Sequence, residues 1–149
     1  MIVSASRRTD IPAHHGDWLR ARMDAGHAVA VNPFRTSQRR RVGLTPAPTG
    51  GMEAIVFCTR DPRPLLPELP RWEAAGVRSA WLVTVTGYPK WLEPGCPETE
   101  TALAAIEALS RIVGRERIAW RYDPVLFCPE RGLDATFHRE NFTRLASHL

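Results

Sequence analysis

Ala80-Trp81-Leu82-Val83-Thr84-Val85 is the stretch on which the fold turns. Its apolar residues run on without alternating, the pattern of a strand covered on both faces of a parallel sheet rather than one with a wet face. Shorter runs of the same kind lie before and after it: Ile2-Val3-Ser4-Ala5, Ala28-Val29-Ala30-Val31, Ala54-Ile55-Val56-Phe57 and Ile118-Ala119-Trp120. They begin at residues 2, 28, 54, 80 and 118, so successive starts lie 26, 26, 26 and 38 residues apart. Intervals of that size have room for a crossover helix. The pattern predicts one α/β domain over residues 1–149, built on five parallel strands.

The intervening segments differ in helical quality. Ala102, Leu103, Ile106, Leu109, Ile112 and Val113 form one apolar stripe, with Glu98 and Glu100 ahead of it and Gly114 where the helix should stop. Helices are also expected from Pro12 to Ala25, ending at Gly26, and from about Asp134 to the end, carrying Phe142, Leu145 and Leu149. Pro64, Pro67 and Pro70 limit the region Leu65 to Ala75 to a short helix or two. From Arg35 to Gly51 there is no helical period. That crossover reads as a loop with a short extended piece around Arg41-Val42-Gly43-Leu44.

A chain of 149 residues with 44% apolar and 24% charged residues can bury a core, which excludes disordered, fibrous and disulfide-stapled classes. Net charge is +4, and all basic residues but Lys90 are arginine. Arginine presents a fixed planar fork suited to carboxylate or phosphate. Cys58, Cys96 and Cys128 are widely spaced and form no C-x-x-C pair, so reduced thiols are expected. No signal-type segment is visible and no apolar run approaches the ~18 residues of a membrane span, which predicts a cytoplasmic protein with no membrane partner. G-x-S-x-G, Walker-type and G-x-G-x-x-G motifs are missing.

Polar residues gather where each apolar run ends. Ser4, Ser6, Arg7, Arg8 and Asp10 follow the first and Asn32 the second; Cys58-Thr59-Arg60-Asp61, Thr84 with Thr86, and Arg121-Tyr122-Asp123 close the others. Parallel strands bring such ends to one edge, where α/β proteins build their sites. The candidate ligand-binding set is therefore Arg7, Arg8, Asp10, Asn32, Thr59, Arg60, Thr84, Arg121 and Asp123. Arg8, Arg60 and Arg121 are expected to converge on an anion, with Asp10 and Asp123 each pairing one guanidinium. Plainer roles compete: Thr9 or Asp10 before Pro12 can cap a helix, Asn32-Pro33 can simply turn the chain, and Arg39-Arg40-Arg41 can be a solvated loop. His14 and His15 diverge on a helix, and His27, His138 and His148 lack ligand spacing, so no metal site is expected.

Ile2-Val3-Ser4-Ala5-Ser6-Arg7-Arg8-Thr9-Asp10-Ile11-Pro12-Ala13, Asn32-Pro33-Phe34, Ile55-Val56-Phe57-Cys58-Thr59-Arg60-Asp61-Pro62 and Trp120-Arg121-Tyr122-Asp123-Pro124 resemble, in order, the signatures of a bacterial family, domain of unknown function eighteen-forty-eight. Members of that family look like radical-SAM-related (β/α) barrels about twice this long, with a cysteine cluster in the C-terminal half. The resemblance implies S-adenosylmethionine and an iron–sulfur cluster for the family. The scattered cysteines here do not match the cluster motif, so none is expected in this chain.

The resemblance also favours an open partial (β/α) barrel of about five parallel strands in chain order over a flavodoxin-like doubly wound sheet. Such an open edge predicts a homodimer. The expected function is that of an enzyme-derived domain binding an anionic small molecule or nucleotide at the strand ends. The alternatives are a non-catalytic module for nucleic acid or an acidic partner, or a truncated product with no activity of its own.

Overall fold

A computed structural model describes residues 1–6 and 8–149. Along the chain run β1 (Ile2–Ser4), α1 (Ile11–His14), α2 (Gly16–Asp24), β2 (His27–Asn32), β3 (Arg35–Gly43) and β4 (Ala54–Thr59). A 3₁₀ segment, Arg63–Glu68, then leads into α3 (Leu69–Ala74), β5 (Ser79–Thr84), α4 (Thr99–Val113), β6 (Ile118–Arg121) and α5 (Ala135–Ala146). The fold is α/β, with a four-stranded parallel sheet in the order β1-β4-β5-β6. Apart from the excursion through β2 and β3, sheet order follows chain order and β1 lies at an edge, unlike a doubly wound sheet whose first strand is central.

The second apolar run departs from expectation. β2 does not join the parallel sheet but pairs antiparallel with β3 in a separate two-stranded ribbon, so the sheet has four strands rather than five. The reason is local. Asn32 Oδ1 accepts from the Phe34 amide at 2.9 Å and Asn32 Nδ2 donates to Gln38 Oε1 at 2.8 Å, so the chain reverses at Asn32-Pro33-Phe34. Closing a short hairpin loop costs less entropy than a long crossover. The polar stretch Arg35–Gly43, read from sequence as a loop with an extended piece only around Arg41-Val42-Gly43-Leu44, is a strand throughout because β2 offers it a ladder.

A second correction concerns the faces of the sheet. Ile55, Phe57, Thr59, Ser79, Trp81 and Val83 are buried, whereas the alternate residues Val56, Cys58, Ala80 and Leu82 are only half-buried and Ile2, Ser4 and Ala119 are exposed. The apolar continuity therefore does not signify helices on both faces. One face carries the helical layer and the core; the other lies open. On the covered face the rings of Phe57 and Trp81 sit 4.4 Å apart. α4 lays Ala102, Ala105, Ile106, Leu109 and Val113 into the same core, and each large side chain so buried contributes about 1.5–3 kcal/mol.

The remaining helices follow the sequence with adjustments at their ends. The first expected helix is two, α1 and α2, divided at His15, with Gly16 packed close to Pro64 and Leu65 of the 3₁₀ segment. Asp134 caps α5 by accepting from the Phe137 amide at 2.9 Å. Gly114, at φ +89°, ends α4 where the sequence placed the stop. No helix is long and apolar enough to cross a membrane among the described residues.

Candidate functional site

Asp10 organises the first strand end. Its Oδ1 accepts from the Ala13 amide at 3.1 Å, capping α1, and from buried Thr59 Oγ1 at 2.7 Å; its Oδ2 accepts from the Arg60 amide at 2.7 Å. Asp10 is thus both the helix cap and the clamp that joins the loop after β1 to the end of β4. It forms no ion pair with an arginine side chain among the described residues, contrary to the expected pairing. Its charge is satisfied by backbone and hydroxyl donors instead.

The partner of Arg60 is a residue that the sequence did not single out. Glu93 takes both arms of the guanidinium, with Nη2 at 2.7 Å from Oε1 and Nη1 donating to Oε2 at 3.0 Å, and also accepts from buried Thr86 Oγ1 at 2.6 Å. Glu93 lies in the irregular segment between β5 and α4, where periodicity carries no information. The fork neutralises Arg60 and closes a cleft of only about 30 Å³ between Thr84, Thr86, Lys90 and Cys96, enough for water and too small for a nucleotide.

Cys96 borders this cleft, its Sγ 3.6 Å from Arg60 Nη1. Burial pushes its thiol pKa up, opposed by the Arg60 charge and assisted by Glu93. Folding therefore favours the thiol over the thiolate. That contribution to stability is fully present below the ordinary thiol range and is lost as pH rises through the raised value. In pH-dependent iodoacetamide labelling followed by mass spectrometry, Cys96 should reach its maximal rate at higher pH in the native protein than in the urea-unfolded chain. Coincident native and unfolded profiles would show that burial leaves Cys96 unperturbed.

Arg121 ends β6 in different company. Its Nε donates to Oγ1 of buried Thr84 at 2.9 Å, and its nearest acid, the exposed Asp123, is 4.0 Å away. Among the described residues neither Nη group has a hydrogen-bond acceptor, so the outer side of the guanidinium remains available. α5 props this edge from behind. Asn141 Nδ2 donates to the Thr86 carbonyl at 2.6 Å and to Tyr122 Oη at 3.1 Å. Tyr122 Oη lies 2.9 Å from His138 Nδ1, and His138 Nε2 lies 2.9 Å from the Leu126 carbonyl.

Only one assignment of protons satisfies this chain with a neutral ring: the carbonyl can only accept, so Nε2 carries the hydrogen and Tyr122 donates to Nδ1. Burial raises the Tyr122 pKa, which keeps it a phenol, against the opposing bond from Asn141. Gly87, at φ +63°, passes so close to Asn141 that a Cβ would meet its Oδ1 at 2.7 Å. Glu93, Asn141 and His138 were not picked out by the sequence reading, because only the fold brings α5 and the segment after β5 to the strand ends.

The predicted residues thus fall into groups. Asp10, Thr59 and Arg60 are linked at the ends of β1 and β4, and Thr84, Arg121 and Asp123 stand at the ends of β5 and β6, with Thr84 shared by the Arg60 cleft. Arg8 turns elsewhere, donating from Nη1 to the Val31 carbonyl at 2.7 Å, and lines a groove with Asn32 on the β2–β3 ribbon. Arg7 lies outside the described residues.

Cys58 lies in β4, Cys96 beside Arg60 and Cys128 beside Glu130, and among the described residues no three His, Cys, Asp or Glu side chains come together to hold a metal. Among the described residues, what remains is a parallel α/β domain with buried threonines and the open Nη groups of Arg121 at the C-terminal edge of the sheet. The chain belongs to the family described as Domain of unknown function (DUF1848), whose model matches residues 2–149. No curated protein and no solved structure matches it.

Proposed function

We propose that this domain binds an anionic small molecule or nucleotide at the C-terminal edge of its parallel strands, with Arg121 as the principal anion contact. The observation that supports this is the contrast between two arginines. Arg60 is neutralised by a bidentate carboxylate, whereas Arg121 is held at Nε by Thr84, with Asp123 4.0 Å from the same nitrogen, and both Nη groups are open among the described residues. A guanidinium fixed at Nε and free at its Nη groups presents donors for a carboxylate or phosphate. Thr84 is 3% exposed, so the anchoring hydroxyl is set by the core and the fork loses little freedom on binding.

Thermal-shift screening of inorganic phosphate, nucleotides, S-adenosylmethionine and organic acids should identify an anion that stabilises the protein. Titration of that anion into the Arg121→Ala protein should show affinity weaker by about 1.5–3 kcal/mol with melting in its absence unchanged. Equal affinity in the two proteins would overturn the assignment of Arg121, and a screen without a single stabilising anion would overturn the site itself.

A further inference from the structure

The β2–β3 ribbon has a composition unlike the rest of the chain. No acidic residue occurs between Asp24 and Glu53, while Arg35, Arg39, Arg40 and Arg41 all lie on β3. All four are exposed, and among the described residues none of their guanidinium groups forms an ion pair or a hydrogen bond. Several arginines elsewhere have an acid partner, as Arg60 has Glu93, Arg117 has Glu73 and Arg71 has Asp24. Four uncompensated charges on one strand repel one another and have no internal remedy. The ribbon tip adds Phe34, 94% exposed.

Register distributes these charges over both surfaces of the ribbon. Val31 pairs with Arg39 and Val29 with Arg41, while Ala30 pairs with Arg40. Side chains alternate along a strand, so Arg39 and Arg41 project from one face and Arg40 from the other. A two-stranded ribbon fits the ~12 Å major groove of a B-form duplex, and arginines on both of its faces then meet the phosphates of both groove walls. The deep, narrow major groove of A-form RNA does not admit it.

We infer that the β2–β3 ribbon is a duplex-DNA binding element, its arginines contacting the phosphate backbone from within the major groove. Arg8, through its bond to the Val31 carbonyl, ties the ribbon to the loop after β1. The inference is independent of the anion contact assigned to Arg121, since the two use different residues.

Fluorescence anisotropy of the full chain with a labelled 20-base-pair DNA, and with duplex RNA of the same sequence, over a series of salt concentrations tests it. The wild-type protein should bind the DNA saturably and the RNA at least about tenfold more weakly. The Arg39→Gln/Arg40→Gln/Arg41→Gln protein should lose at least about tenfold in affinity for DNA. Its slope of log affinity against log salt should fall by about 2.7, about 0.9 for each phosphate contact removed.

Arg111→Gln/Arg139→Gln, which removes exposed charges from α4 and α5, should leave DNA binding within about twofold. Circular dichroism checks that the triple variant is folded. Should it not be, the single Arg40→Glu change carries the test, with the same direction expected. Absence of saturable DNA binding, equal affinity for the RNA, or an equal loss in the Arg111/Arg139 protein would each overturn the inference.

Discussion

Replacing Trp81 by alanine should lower stability by about 3–5 kcal/mol, a large share of the ~5–15 kcal/mol typical of a whole domain. Trp81 is 1% exposed and lies on a central strand of the sheet. Its ring meets Phe57 at 4.4 Å, and its Nε1 donates to Ser79 Oγ at 3.0 Å. The substitution removes the largest side chain of the covered face, leaves a cavity walled by strands that cannot collapse, and deprives a buried hydroxyl of its partner. Urea denaturation should show the midpoint falling with the slope unchanged. A loss below about 1 kcal/mol would mean that Trp81 is not the centre of the core.

The second large effect is expected at Asp10. Alanine there removes the cap of α1 and leaves Thr59 Oγ1 and the Arg60 amide without their acceptor, for a combined cost of about 2–4 kcal/mol. Asparagine separates the two roles. It is as good a helix cap as aspartate, yet its amide nitrogen would face either the Thr59 hydroxyl or the Arg60 N–H, each now bonded to a carboxylate oxygen. Asp10→Asn should therefore recover only part of the loss, leaving about 1–2 kcal/mol in chemical denaturation. Full recovery by asparagine would reduce Asp10 to a cap and dissolve the clamp between β1 and β4.

These two residues also show what the sequence makes legible. Trp81 stands in the apolar run from which the parallel sheet was read, and that reading depends only on local composition. Asp10 was legible as a cap because Pro12 follows it; its bonds to Thr59 and the Arg60 amide were not, since they join residues fifty positions apart. The second run shows the opposite failure. Ala28–Val31 is apolar enough for a buried strand, but the Asn32-Pro33-Phe34 turn sends it into local pairing, and a run of four residues does not state which partner it will take.

The site was legible in direction only. Polar residues do follow the strands, as parallel topology requires, yet which arginine is neutralised depends on Glu93, in an irregular segment without a pattern. Arg60 and Arg121 look equivalent in sequence, each preceding or flanked by an aspartate, and only their surroundings in the fold tell them apart.

β1 is three residues long, lies at an edge of the sheet, and pairs Ile2 with Ala54 across the whole intervening ribbon. Contacts so distant in sequence form late, because the chain between them must first be gathered, whereas β2 and β3 can zip together on their own. The arginine ribbon is therefore the earliest β-structure expected during folding and β1 among the last to dock. The same ordering should carry over to the native state, where hydrogen exchange is expected to find amide protons of β1 exchanging through local opening well below the free energy needed to expose those of β5.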